Sequence, residues 1–453
     1  MSPEFLLHWE TARVEDIADR VAMGPFGSSI KVETFVANGI PVISGQHLKG
    51  FKVDDNVGYN FITEEHADRL KKANVQRGDV IFTHAGSIGQ AAMVPHDAVY
   101  DRYVISQRQF YLRCNSDKAL PEYVVAYFRS PQGQHALLAN SSQVGVPSIA
   151  RPVTYLRSIP LPLPPLSEQR AIAAVLGALD DKIEQNRRTA RALERLARAI
   201  FRAWFVDFEP VKAKDAGATA FPSMPQPVFD ALPTRFVDSA IGPVPEGWEV
   251  KALADVCDLN ARSVRKGEIE GEIEYINIAS VTRGHLDEIE RMDFRYAPSR
   301  ARRVIQDGDT IWSCVRPNRM SYLYINNPPG NRIVSTGFAV LTPSKVGPSY
   351  LYQLTTQPEF VDYLVANATG SAYPAVRSDH FETAKFCCPS EVVLDAFEAK
   401  THPMRRWIGE AERESRRLAE MRDCLLPKLL SGEVHVQPVV DDANELTSIL
   451  EEQ

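Results

Sequence analysis

Three short patterns in the chain come closest to catalytic chemistry. "NPPG", Asn327 to Gly330, supplies three positions of the loop in which an amino-methyltransferase accepts its target amine, but ends in glycine where an aromatic ring must stack on the flipped base. Asp238 with "EVK" (Glu249 to Lys251) and Asp395 with "EAK" (Glu398 to Lys400) follow the acidic, Glu-x-Lys order of metal-dependent nucleases, and the second lies in helical sequence. Neither a phosphate-cradling GxxxxGK[ST] loop nor an HExxH pair occurs. The six cysteines (Cys114, Cys257, Cys314, Cys387, Cys388, Cys424) form no CxxC pair, which argues against a zinc site and against a disulfide framework. These residue types point away from catalysis and from a metal in this chain. A second set suits binding: Ser28, Ser29 and Lys31 in "GPFGSSIK"; His84 in "FTHAG"; Arg151; Arg262, Arg265 and Lys266 in "NARSVRKGE"; Arg316, Asn318 and Arg319 in "SCVRPNRMSY"; and Arg377. Arginine and asparagine match base edges, whereas serine and lysine match phosphates.

The elements that must position these side chains come in duplicate. Pro131, Pro147 and Pro162 recur as Pro358, Pro374 and Pro389, each 227 positions on. "VQRGDVIFTHAGSIG" (Val75 to Gly89) pairs with "VIQDGDTIWSCVRPN" (Val304 to Asn318), and "HWETARVEDIAD" from His8 pairs with "GWEVKALADVC" from Gly247. Each half is a globular module of short β-rich runs with interspersed helices, followed by one long helix. At the first junction Pro160, Pro162, Pro164 and Pro165 form a stiff strut, and Ser167 is the expected N-cap of the helix behind it. That helix carries a seam with steps of three and four: Leu176, Leu179, Ile183, Asn186, Leu193, Ile200 and Trp204. The second helix matches it with Ile408, Leu418 and Leu425, and Pro403 is expected to kink it.

The resulting organisation is α+β: two similar modules with a pseudo-two-fold internal repeat, separated by two long helices that form an antiparallel coiled-coil spacer. The boundaries are residues 1–162 for the first module, 163–208 for its helix, 209–243 for a Pro-rich linker without a core of its own, 244–390 for the second module and 391–432 for its helix. An acidic tail, 433–453, is expected to be flexible. Two modules at a fixed spacing suit a ligand that repeats over tens of ångströms, as duplex DNA does at about 34–36 Å per helical turn. A net charge of −7 sets no global preference for nucleic acid, but a local basic surface is what phosphates meet.

"PLPPLSEQRAIAAVLGALDDKIEQNRR", "FVDFEPV", "IGPVPEGWEV" and "GSAYPAVRSDHF" resemble the DNA-specificity subunit of type I restriction-modification enzymes. The resemblance covers nearly the whole chain. It implies target-recognition domains that read the two halves of a bipartite target in double-stranded DNA, with the paired helices as a ruler. It also implies docking of two methyltransferase (modification) subunits and of restriction/translocase subunits, in the cytoplasm. S-adenosylmethionine, ATP and Mg are then expected on those partners, with no cofactor in this chain, which would be a non-catalytic part of a defence against foreign DNA. The residues alone leave two alternatives open, a protein-binding scaffold with two spaced modules and a stand-alone nuclease or methyltransferase. At the second junction Cys387-Cys388-Pro389-Ser390-Glu391 stands where a proline-rich strut is expected, which weakens the expectation of a stiff joint there.

Overall fold

The structure is a computed structural model that describes residues 9–27, 29–142, 145–265, 267–370 and 373–436. Ser28, Lys266 and tail residues 437–453 therefore lie outside the described residues. The chain divides into two compact units, residues 1–185 with 414–453 and residues 186–413. Both long helices, α3 (Leu166–Phe201) and α6 (Glu391–Leu430), contribute to both units.

The first unit is built on eight strands: β1 (Ala18–Met23), β2 (Ile40–Ile43), β3 (Asn60–Ile62), β4 (Asn74–Val75), β5 (Val80–Thr83), β6 (Ala91–Met93), β7 (Tyr103–Ile105) and β8 (Gln109–Cys114). They form an antiparallel sheet in the order β1-β8-β5-β6 and a mixed sheet in the order β3-β2-β7-β4, whose β2–β7 pair is parallel. The second unit has β9 (Cys257–Leu259), β10 (Glu272–Ile276), β11 (Glu290–Asp293), β12 (Ala301–Val304), β13 (Thr310–Ser313), β14 (Tyr322–Tyr324), β15 (Arg332–Ser335) and β16 (Phe338–Pro343). Its sheets run β9-β16-β13-β14 and β11-β10-β15-β12, with β10–β15 parallel. Adding eight to each strand number of the first unit gives the second, so the repeat seen in the prolines is a repeat of topology.

Alternation along the strands makes the cores. In β5 and β8, Val80, Phe82, Phe110 and Leu112 face the helix pair α1 (Pro121–Arg129) and α2 (Pro131–Leu138), while Ile81 and Tyr111 face the mixed sheet. Trp312 and Leu341 face α4 (Pro348–Thr355) and α5 (Pro358–Ala366) in the same way, while Ile311 and Val340 turn to the other layer. The paired prolines do equivalent work: Pro131 and Pro358 open α2 and α5, where a missing N–H costs nothing.

Each module is tied to its long helix by a two-stranded ribbon and a capping side chain. Pro160–Pro162 pairs antiparallel with Thr11–Arg13, and Lys385–Cys388 pairs with Glu249–Ala252, so the second junction is held although it lacks the proline strut. Helix α3 begins at Leu166, so Ser167 sits inside its first turn instead of capping it, and the carbonyl of Pro165 accepts from Gln169 N–H. The buried Gln169 side chain accepts from Leu120 N–H (2.9 Å) and donates to the carbonyls of Lys118 (3.1 Å) and Pro164 (2.8 Å). Glu398 of α6 serves α4 likewise, accepting from Ser349 N–H (3.1 Å) and Tyr350 N–H (3.2 Å). A Cβ on Gly347 would lie 2.2 Å from a Glu398 carboxylate oxygen, so glycine is required there by the cap.

Several expectations need correction. Helix α6 is continuous through Pro403. Its buried seam includes Thr401, Arg405 and Leu426, whereas Leu418 and Leu425 are only partly buried. On α3, Leu176, Ile183, Asn186, Ile200 and Trp204 are buried, and Leu179 and Leu193 partly so. The α-helix ends at Phe201 in a π-helical turn, Arg202–Val206. The Pro-rich linker is packed: it forms the helices Glu209–Asp215 and Gln226–Asp230 and buries Val211, Val228, Phe229 and Leu232 in the core of the second unit.

One buried turn shows how the repeats have diverged. Gly78-Asp79 and Gly308-Asp309 both place glycine at positive φ (83° and 84°), and each aspartate accepts the N–H three residues back, from Gln76 and Gln306. Asp79 is held by a bidentate Arg113 (both contacts 2.7 Å), but Asp309 has only Thr342 Oγ1 (2.8 Å). Burial accordingly pushes the Asp309 pKa up. A raised folded-state pKa contributes stability that is full below the unfolded carboxylate value and lost as pH rises through the folded one. Asp309→Asn should therefore remove a weakening of the second unit that sets in as pH rises above the ordinary carboxylate range, without lowering its protection at neutral pH. Asp79→Asn, which strands Arg113, should cost the first unit about 2 kcal/mol. Hydrogen exchange of β5 and β13 amides reads the two units separately.

Candidate nucleic-acid interface

Where β5 ends, three loops of the first unit converge. His84 N–H donates to the carbonyl of Arg108 (2.9 Å), His84 O accepts from Ile149 N–H (2.8 Å), and Gly86 N–H donates to the carbonyl of Pro147 (2.9 Å). The His84 ring donates through Nε2 to the carbonyl of Gln107 (3.1 Å), and burial lowers its pKa. It is thus a neutral strut between loops more than a free reader. Arg108 is exposed, and a Cβ on Gly86 (φ 84°) would sit 3.3 Å from its guanidinium. Gly24 N–H donates to the carbonyl of Gln109, which starts the "GPFGSSIK" loop at the same end. That loop exposes Phe26 (76%), then anchors Ser29 O on His66 Nε2 (2.9 Å) and leaves Lys31 exposed. Arg151 is exposed in a left-handed conformation (φ 46°) ahead of the helix Pro152–Ser158.

The second unit repeats this backbone frame with other side chains. Cys314 N–H donates to the carbonyl of Gly337, Val376 N–H to that of Cys314, and Arg316 N–H to that of Pro374. Pro147 and Pro374 thus share one task, holding the turn after the strand. Arg316 (φ 52°) and Met320 (φ 56°) bracket the single 3-10 turn Pro317–Arg319, a pair of left-handed non-glycine residues that is strained and needs a reason. The turn lifts Asn318 and Arg319 into solvent, and the Arg316 guanidinium stands 4.5 Å from the centre of the Tyr373 ring, itself 69% exposed. Arg377 is exposed but pairs with Asp379 (2.9 Å).

Beside this turn runs a basic strip assembled by strand pairing. Val264 N–H donates to the carbonyl of Arg302 and Val304 N–H to that of Arg262, while Thr336 N–H donates to that of Arg300. The strip comprises Arg262, Arg265, Arg300, Arg302 and Arg303, and among the described residues no carboxylate pairs with any of these guanidinium groups. Three other arginines of this module are neutralised, Arg291 and Arg332 by Glu274 and Arg295 by Asp293. Arg302 stands over the Phe294 ring and Arg303 Nη1 donates to Ser263 Oγ (3.3 Å), while Arg262, Arg265 and Arg300 are exposed, the kind of surface charge that a phosphate backbone meets. Of the residues suggested for binding by the sequence, the strip contains Arg262 and Arg265; Arg108, Arg300, Arg302, Arg303 and Tyr373 were not among them. The cluster "SRARRV" was the available signal.

Comparison with known proteins bears on the open classes. Residues 7–195 match the sequence profile described as the type I restriction modification DNA specificity domain. The type I restriction enzyme MjaIX specificity subunit of Methanocaldococcus jannaschii is 21% identical over 443 residues, covering 95% of this chain and 94% of that one. The HindI specificity subunit of Haemophilus influenzae is 24% identical over 413 residues, covering 81% and 88%. The crystal structure of a type I restriction-modification S subunit from M. genitalium shares the fold, with a TM-score of 0.57 at 14% identity over 95% of this chain and 98% of that chain. The chain thus resembles type I specificity subunits, in sequence profile over residues 7–195 and in fold over most of its length.

The three catalytic patterns have other occupations here. "NPPG" connects β14 to β15, with Asn327 N–H on Asp307 Oδ1 (2.6 Å). Lys251 pairs with its neighbour Glu249 (3.1 Å), and Glu398 caps α4. Burial pushes the Cys314 thiol up to about 11, so it stays protonated. No helix among the described residues is long and apolar enough to cross a membrane.

On duplex DNA, the strip and the turn should separate in binding experiments. Arg300→Gln and Arg302→Gln should each weaken duplex binding on every sequence and lower the slope of log K against log salt by about one. Arg316→Ala should instead relax selectivity at one base pair, by about 1–3 kcal/mol, with the salt slope nearly kept. Equal behaviour of all three variants would refute the division.

Proposed function

We infer that the chain reads a bipartite, asymmetric target in double-stranded DNA, one half per unit, and scaffolds methyltransferase and restriction/translocase subunits. The target-recognition domains in this reading are residues 1–162 and 244–390, with 163–208 and 391–432 as the spacer helices. What carries it is the combination of one duplicated frame with two different loop chemistries. His84, Gly86 and Arg108 occupy in the first unit the places that Cys314, Arg316 and Gly337 occupy in the second. Identical readers would suit a palindrome, whereas different readers on one frame suit two unlike half-sites.

The long helices serve as the ruler. Asp180 of α3 pairs with Arg422 of α6, and Lys182 with Glu414, in the first unit. In the second, Glu194 pairs with Arg405 and Phe201 packs on Phe397. Within each unit α6 numbers fall as α3 numbers rise, the sense expected of an antiparallel coiled coil. S-adenosylmethionine, ATP and Mg would act on the partner subunits in the cytoplasm, and this chain would contribute the address.

Co-expression with the cognate methyltransferase subunits and sequencing of methylated adenines in the host genome tests this directly. The expected result is a bipartite motif with one fixed gap that disappears when this chain is omitted. A stable complex without such a motif would favour a protein-binding scaffold. Inserting four residues beside Ala190, about 6 Å of helix, should change the gap and leave both half-sites unchanged. Altered half-sites at an unchanged gap would exclude the ruler.

A further inference from the structure

Burying an ion pair requires stripping water from both charges, so such a pair is a weak source of stability, and its best-attested role is to fix register. Arg405 on α6 is 3% exposed. Its guanidinium stands 4.0 Å from the centre of the Tyr352 ring and 5.7 Å from that of Tyr324, and it forms an ion pair with Glu194 of α3. Glu194 also accepts from Gln353 Nε2 (3.3 Å) and faces Arg198 (3.7 Å), which donates to the Tyr322 hydroxyl (3.2 Å). Tyr352 and Gln353 lie on α4, and Tyr322 and Tyr324 on β14. One carboxylate thereby joins α3, α6 and the second recognition module.

The neighbouring seam residues Leu193, Ala197 and Ile200 could not do this. Aliphatic side chains at three-four spacing accept a slip of one helical turn with nearly equal burial, because the turn restores the same pattern. A slip of α6 along α3 would leave the Arg405 guanidinium buried without its carboxylate, which forbids the alternative. One turn is 5.4 Å, about one and a half base pairs of duplex at about 34 Å per ten. The first unit has the same polarity of pairing, Asp180 on α3 with Arg422 on α6 at 2.7 Å, where the guanidinium is less deeply buried than that of Arg405.

We propose that Glu194 and Arg405 are positioning residues that select a single register of the two helices, and with it the length of the unread gap in the target. This rests on the two-half-site reading above. The test uses the full-length chain co-expressed with its modification subunits, with methylated-motif sequencing and thermal unfolding as readouts. Glu194→Leu with Arg405→Met replaces the pair by apolar groups of similar size. That variant should fold and retain both half-sites, while sites whose gap differs by one or two base pairs gain about tenfold or more in methylation. A folded double variant that keeps the wild-type gap alone would overturn the proposal.

Should the double variant not accumulate, Arg405→Lys decides by the same rule. Its ammonium keeps the charge but cannot lie flat on Tyr352 while meeting the carboxylate. Gap broadening supports the proposal and an unchanged single gap overturns it. If the wild-type chain itself gives no fixed-gap motif, the two-half-site reading fails instead, which separates the two failures.

Discussion

A helix that starts inside a folded protein leaves its first N–H groups without partners, and both units depend on how this is resolved. The first helix of each module pair, α1 and α4, takes its cap from the long helix that follows in sequence: Gln169 for α1 and Glu398 for α4. A cap of this kind specifies distance and direction, because a carbonyl or carboxylate oxygen must stand within hydrogen-bond reach of identified N–H groups. The module and its long helix therefore cannot rotate against each other without exposing buried donors. The prolines between them assist by holding an extended strand against Thr11–Arg13. Where that strut is missing, the carboxylate does more, since Glu398 meets two backbone N–H groups at a positive helix end and also the Ser349 hydroxyl.

With the joint fixed, the frame can tolerate change at its open end. The backbone bonds that close the loops after β5 and β13 are the same three in both units, and none of them uses a side chain. Substitution there alters what the loops present without altering how they are held. The first unit shows a neutral histidine strut, a glycine turn and one exposed arginine. The second shows a left-handed Arg316 beside Tyr373 and a strip of arginine side chains. Even the buried aspartate turn follows this logic: its backbone bond is kept and its side-chain partner has changed from Arg113 to Thr342. A chain with a net charge of −7 can thus carry a strongly basic edge, since the acidic residues are placed elsewhere.

How much of this the sequence exposes depends on whether the constraint is local. The prolines betray the repeat because each fills a backbone role, helix start or loop anchor, that depends on few neighbours. Ile183, Ile200 and Trp204 fall on the seam because apolar periodicity is a direct record of burial. Arg405 and Thr401 escape the same reasoning, since a polar residue on a buried stripe looks like a break in the pattern until its partner is known. The linker misleads for a related reason: its prolines and small residues suggest an open chain, while Val228, Phe229 and Leu232 are enough to seat it on a core that lies distant in sequence. Arg300, Arg302 and Arg303 join Arg262 and Arg265 in one basic cluster only when β12 meets the 262–264 segment, a pairing across some forty residues that no spacing rule predicts.

The same contrast between local and long-range constraint bears on how such a molecule can acquire a new target. Side chains at the loop ends act one base pair at a time, so changing them is a local event. Gap length, in the proposed reading, would be set by helices whose aliphatic seams favour a periodic set of registers and by buried charges that admit one of them. An aliphatic change in the seam would alter stability while leaving the register where the charges put it. A change that removes a charge would release the register. On this physical ground the proposed reading assigns the two properties of the target, the bases read and the distance between them, to different residues that could vary independently.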